Sequence, residues 1–207
     1  MNILSVTPDW VVCIKPAGTD SEKEMPALLA AQFGGTFYPV HRLDLNVGGV
    51  MIYARRPAAA AELSRLIREN LLVKEYVAAV HGDPPPSGTM GDLLWKDARK
   101  TKVYVVDRLR AGVRNAVLSY TVLCRPEPDR TLVRIRLQTG RSHQIRVQFS
   151  HRKYPLWGDH KYGARDREKA PLLFSCRLSF PWQGRDMAFE SLPGWFPSPA
   201  NPAGPQE

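Results

Sequence analysis

The chain has 207 residues, 43% hydrophobic and 24% charged, a composition that excludes wholesale disorder and is large enough for one well-filled domain. No apolar run is long enough to span a bilayer and no basic-then-apolar leader opens the sequence. The cysteines, Cys13, Cys124 and Cys176, are far apart and form no CxxC pair, which argues against a disulfide framework or zinc knuckle and fits a reducing cytoplasm.

Charge is the most informative quantity. The 29 Lys and Arg outnumber the 20 Asp and Glu, and 20 of the 29 are Arg. Residues 101–150 hold ten basic and three acidic groups, so this stretch supplies +7 of the net +9. Clustered guanidinium forks suit a polyanion, though charge alone also fits a merely solubilising surface.

In chain order, Trp10–Ile14 reads as a short buried strand that ends in the turn Lys15-Pro16-Ala17-Gly18. Glu24–Phe33 reads as a helix with Pro26 near its start, where proline is tolerated. Val50–Ala54 is a strand after Gly48-Gly49. Residues 57–70 form an amphipathic helix with Leu63, Leu66 and Ile67 on one face, and residues 73–80 the next strand.

Residues 87–101 read as a loop after the Pro84-Pro85-Pro86 run. Strands are expected at 102–106, 116–123 and 131–137. In the last, Val133, Ile135 and Leu137 alternate with Arg134 and Arg136, giving one buried face and one cationic face. Thr139-Gly140-Arg141-Ser142 is a turn into a helix with Ser142 as the expected N-cap. Late strands follow at 172–180 and 187–189. Helices among runs of antiparallel strands predict an α+β fold: a mixed, largely antiparallel sheet with flanking helices, in one domain over 1–192, with an irregular, proline-rich tail at 193–207.

His41-Arg42-Leu43-Asp44 packs three ionisable groups into a short turn. Alone, it reads as a solvated turn. A kinase catalytic loop is excluded, because the order would be His-Arg-Asp and no glycine-rich phosphate loop precedes it. The histidines lack metal-binding spacing, no GxSxG elbow is present, and no cofactor motif is found, so neither metal nor cofactor is expected.

Five segments taken together carry more weight: WVVCIKPAG, HRLDLNVGGVMIYAR, KEYVAAVHG, LQTGRSHQIRV and PLWGDHKYG. In order and spacing they resemble the RluA family of pseudouridine synthases, whose patterns are KPAG, HRLDxxTSG, KxY, TGRxHQIR and a GDxxYG-like segment. The resemblance covers roughly residues 10–180. It departs at Val47-Gly48-Gly49, where the family favours Thr-Ser-Gly, and this puts the holding of that loop and the level of activity in question.

The resemblance implies a cofactor-free isomerisation of selected uridines in ribosomal or transfer RNA, with Asp44 as the essential carboxylate. Attack on the sugar, attack on the base and elimination remain open as the order of events. A carboxylate in a cleft emptied of water is kept charged by an adjacent cation, and motif position assigns that role to Arg146. Tyr76 packs against the uracil, and Leu173 closes the apolar side of the pocket. Arg42 holds the flipped nucleotide, His41 braces the loop or contacts RNA, and Arg141 belongs to the turn or to the RNA contact. The expected partner is rRNA or tRNA, with no membrane association and a monomeric, cytoplasmic protein. The first motif begins at Trp10, so no preceding RNA-binding domain is expected. The alternative is a weakly active or inactive RNA-binding factor on the same fold, and its support is Val47-Gly48-Gly49.

Overall fold

The computed structural model describes residues 1–197. In chain order its strands and helices are β1 (Asn2–Val6), β2 (Trp10–Lys15), α1 (Glu24–Phe33), β3 (Tyr38–Pro39), β4 (Gly48–Ala54), α2 (Pro57–Arg68), β5 (Val73–His81), β6 (Ser87–Asp97), β7 (Lys102–Val106), β8 (Val113–Glu127), β9 (Arg130–Leu137), α3 (Gln144–His151), β10 (Leu173–Trp182) and β11 (Arg185–Glu190). The backbone groups into two compact units: residues 1–75 with 174–193, and 76–173 with the described tail beyond 193.

In the first unit the strand order is β1-β2-β4-β10, with β11 on β10 and β3 on β4. Its pairs are antiparallel except β4 with β10, which is parallel. Trp10, Val12, Val50, Ile52, Leu63, Leu66, Leu178 and Phe180 form its core. Residues Leu63 and Leu66 reach this core because they share one face of α2, and Pro57 starts that helix where its missing N–H is not needed. The turn leading into α1 is held reciprocally: Asp20 Oδ1 accepts from the N–H groups of Glu22 and Lys23, and Glu24 Oε2 accepts from the Asp20 N–H. Those backbone bonds hold the Asp20 carboxyl below its ordinary range.

The second unit is a sheet ordered β5-β9-β8-β6-β7. Leu94, Val103, Ala116, Val147 and Tyr162 form a core where α3 packs on it. The alternation read in β9 holds at its centre: Val133 and Ile135 are fully buried, while Arg136 is exposed and Arg134 half-buried. The α+β architecture with mixed, mostly antiparallel pairing is the expected one.

Three local expectations differ. Residues 87–97 are strand, not loop. Met90 and Leu94 face the core, but Asp92 stands between them on the same face and breaks the hydrophobic alternation. Its charge is met by Arg152 at 2.8 Å and by Gln148 at 2.6 Å. Burial opposes ionisation of Asp92, and these hydrogen bonds outweigh it, so the carboxyl lies below its ordinary range. The N-cap position of α3 is His143 in the left-handed region (φ 50°), not Ser142. Gln144 holds this turn instead, its Oε1 accepting from Thr139 Oγ1 and the Arg141 N–H. Strand β1 adds an element to the expected set, pairing antiparallel with β2.

Of the proline-rich tail, Trp195 and Phe196 pack against Ala79, Leu132 and Leu172. Residues 198–207 lie outside the described residues.

Candidate active site

The HRLD turn belongs to the first unit, and its backbone is pinned on both sides of Asp44. On one side the Ser21 hydroxyl donates to the Leu43 carbonyl (3.1 Å) and accepts from the Leu43 N–H (3.4 Å). On the other, the Leu45 carbonyl accepts from Lys15 Nζ (3.1 Å) and from the Gly18 N–H (2.8 Å). The side chains of Leu43 and Val47 are buried, and the Val47 N–H closes the turn on the Asp44 carbonyl. Asp44 itself stays partly exposed. A carboxylate on a short, doubly anchored turn loses little conformational freedom when it engages a substrate, the preorganisation that catalysis requires.

Lys15 is the unexpected member. Its side chain is fully buried (0% exposed), and Nζ donates to the carbonyls of Pro16 (2.8 Å), Thr19 (2.8 Å) and Leu45. Burial lowers its pKa to about 8, against the opposing pull of Asp20, Asp44 and Glu24. The KPAG motif is therefore the brace of the Asp44 turn, a role for which the sequence offers only the signal of a lysine ending an apolar strand.

Next in the turn, His41 accepts from the Ile52 N–H at Nε2 (3.2 Å), which places its proton on Nδ1. Burial, with Lys74 nearby, pushes its pKa down to about 3, so the ring is neutral at physiological pH. Arg42 is exposed and pairs with Glu22 at 2.6 Å.

The Gly48-Gly49 pair is not loop. Both are buried residues at the start of β4, opposite Phe174 and Ser175 of β10. A Cβ on Gly48 would sit 3.1 Å from the Lys15 carbonyl. On Gly49, where φ is +133°, it would sit 2.4 Å from the Ser175 carbonyl oxygen. Close strand approach accounts for these glycines, and the segment after Asp44 is held by sheet pairing, with the Ser175 hydroxyl donating to the Val50 carbonyl at 3.1 Å.

The remaining expected residues belong to the second unit. Tyr76 is buried in β5, and Leu173 is buried at the start of β10. Arg141 is exposed, and its Nε donates to the Asn115 carbonyl at 2.9 Å. Arg146 is buried, and its guanidinium is gripped by Asp159 through two bonds, Nε to Oδ2 at 2.7 Å and Nη2 to Oδ1 at 2.8 Å. The ring of Tyr162 lies 5.2 Å from the same guanidinium. The Tyr162 hydroxyl accepts from the Val103 N–H (2.9 Å) and shares a hydrogen bond with His143 Nδ1 (2.8 Å), pinning the left-handed residue at the start of α3.

Asp159 and Tyr162 both come from the GDHKYG segment, whose local pattern points to no role for either. Their work is to hold one edge of a buried arginine, and only the contact identifies it. Among the described residues, no group of three or more His, Cys, Asp or Glu is placed to hold a metal ion, and no helix is long and apolar enough to cross a membrane.

Comparison with known proteins gives a consistent answer. A family model described as RNA pseudouridylate synthase matches residues 9–151. The chain is 34% identical over 128 residues to the ribosomal large subunit pseudouridine synthase D of Haemophilus influenzae, which covers 62% of this chain and 38% of that protein. It is 30% identical over 205 residues to an uncharacterized RNA pseudouridine synthase of Mycoplasma pneumoniae, covering 92% of this chain and 66% of the relative. The chain thus spans well under two thirds of the first relative's length. Among solved structures, human RNA pseudouridylate synthase domain containing 1 superposes with a TM-score of 0.81 at 22% identity, over 95% of this chain and 84% of that one. At that identity the likeness is one of fold.

Proposed function

From the chain's membership of the RNA pseudouridylate synthase family, we propose that it isomerises specific uridines to pseudouridine in structured RNA, rRNA or tRNA, with Asp44 as the essential carboxylate. The observation that carries the assignment is the doubly pinned turn. Asp44 is the one partly exposed ionisable side chain between two anchored neighbours, Leu43 and Leu45. The reaction breaks the N1–C1′ bond, turns the uracil and joins C5 to C1′. The C5 proton leaves and N1 gains one, so nothing is oxidised, reduced or consumed.

In this reading Arg146 is the cationic partner of the Asp44 carboxylate. A guanidinium gripped along its Nε–Nη2 edge by Asp159 is oriented before any substrate arrives. Tyr76 packs on the uracil and Leu173 closes the apolar wall. Reaching a stacked uridine requires flipping it out at a cost of about a few kcal/mol, and Arg42 holds the extruded nucleotide. His41 is neutral and tied to β4, so it acts as a brace of the turn rather than as a cation for phosphate. Arg141 and the arginines of 101–150 grip the backbone, giving affinity with little base specificity. The protein works as a cytoplasmic monomer.

The test maps pseudouridines in total RNA from cells lacking the gene, and after complementation with wild type or Asp44→Asn. One or more sites should disappear and return only with wild type. Unchanged sites in the deletion, or rescue by Asp44→Asn, would refute the assignment.

A further inference from the structure

The hairpin β6–β7 carries two kinds of surface. Leu94 and Val103 point to the core, and the opposite face carries Leu93, Trp95, Tyr104 and Val106, all half-buried. Trp95 and Tyr104 are directly paired across the strands. Their ring centroids are 6.3 Å apart with planes tilted by 30°, closer to parallel than to edge-to-face.

Cations accompany both rings. The Arg110 guanidinium lies 5.3 Å from the Trp95 centroid, and Lys102 Nζ lies 5.8 Å from that of Tyr104. Arg110 comes from the exposed turn between β7 and β8, together with Arg108 and Leu109, which is 75% exposed. Residues 95–114 hold seven basic and two acidic groups. Of those two acids, Asp97 is occupied in capping its own turn, accepting from the N–H groups of Arg99 and Lys100.

A hydrophobic core does not need this arrangement. Two adjacent aromatic faces left half open, each attended by a cation and set in a basic surface, match the demands of an unpaired polynucleotide. Its bases offer π-faces of any sequence, and its phosphates sit within side-chain reach. We propose that the outer face of the β6–β7 hairpin is a stacking subsite for single-stranded RNA, with bases on Trp95 and Tyr104 and the flanking phosphates on Arg110 and Lys102. An entering base takes the place of Arg110 on the Trp95 ring and leaves its guanidinium to the phosphate. The proposal rests on RNA being the substrate, and it adds a contact that binds unpaired nucleotides flanking the target whatever their sequence.

The test titrates fluorescein-labelled decauridylate into wild type, Trp95→Ala, Trp95→Phe, Tyr104→Ala and Arg110→Ala at several salt concentrations, with thermal melting of each protein as the folding control. Loss of one stacked base weakens binding about 5- to 150-fold, so Trp95→Ala and Tyr104→Ala should each fall in that range. Their salt slope should match wild type, because stacking releases no counterions. Trp95→Phe should retain most of the affinity, and Arg110→Ala should flatten the slope by about one.

Binding by Trp95→Ala within twofold of wild type overturns the subsite, as does an equal loss in Trp95→Ala and Trp95→Phe. If Trp95→Ala melts early, Tyr104→Ala decides: wild-type affinity there overturns the subsite, and a loss in the expected range supports it. Wild type that fails to bind decauridylate also overturns the subsite, whereas the reading of structured RNA as substrate stands or falls separately with the complementation test.

Discussion

Replacing Asp159 by alanine tests the grip on Arg146. The Asp159 side chain is fully buried (0% exposed), the Arg146 side chain is 11% exposed, and the pair is bidentate at 2.7 and 2.8 Å. Removing Asp159 takes both charge-assisted bonds from the Nε–Nη2 edge of a buried guanidinium, and losing one partner of a buried ion pair costs about 3–5 kcal/mol. For a chain of this length that corresponds to a fall in melting temperature of about 6–20 °C. The assay is urea unfolding with calorimetry, alongside single-turnover pseudouridine formation and RNA binding.

The variant should lose stability by that amount. Below its melting temperature it should lose turnover far more than RNA affinity, because the guanidinium is no longer oriented. The double variant Arg146→Met with Asp159→Leu should recover much of the stability, since an apolar pair can replace a buried ion pair, while staying inactive. A cost below about 1 kcal/mol for Asp159→Ala is what an exposed pair would give, and it would refute the argument.

Other consequences are as direct. Lys15→Met keeps the apolar stem but takes the ammonium donor from the Pro16 and Thr19 carbonyls and leaves Leu45 with the Gly18 N–H alone; at about 1–3 kcal/mol for an unsatisfied buried group, denaturant titration should show a clear loss, and turnover should fall with it. Gly49→Ala drives a Cβ against the Ser175 backbone at a backbone angle alanine resists, so soluble expression should fall sharply; a wild-type melting curve would show that β4 and β10 can separate without cost. Charge reversal at Arg108, Arg110 and Arg114 should weaken RNA binding and flatten its salt dependence at unchanged melting temperature.

The last concerns pH. Burial opposes protonation of His81, but hydrogen bonds to Asp129 and Asp166, each 2.8 Å from a ring nitrogen, outweigh it and hold its pKa above the ordinary value of 6.5. A raised pKa contributes stability that is fully present below 6.5 and lost as pH rises through the higher folded value. The two carboxyls lie below their ordinary 3.8, so their share is lost in acid, below that value. Wild type should therefore gain stability over His81→Asn as pH falls from alkaline toward 6, and a pH-independent difference would remove the ion pairs from the account.

The local pattern of residues was enough for much of this protein. Apolar runs bounded by glycine and proline located β2, β4 and β5, and the shared face of Leu63 and Leu66 located α2, because periodicity and turn chemistry act over a few residues. The order of five motifs pointed to the family and to Asp44. Strand β6 was hidden because Asp92 interrupts its inward face, and a buried carboxylate becomes tolerable only when Arg152 and Gln148, some sixty residues later, arrive beside it.

The same reason separates the two halves of the candidate site. Which side chain carries the chemistry is a matter of residue type and motif, and the sequence alone was sufficient to nominate it. What holds that side chain is a matter of long-range hydrogen bonds. Lys15 reaching the Leu45 carbonyl, Ser21 bracketing Leu43, and Asp159 gripping Arg146 join residues distant along the chain. No local pattern encodes such a contact. Only the packed structure brings donor and acceptor within bonding distance and excludes the water that would otherwise replace them.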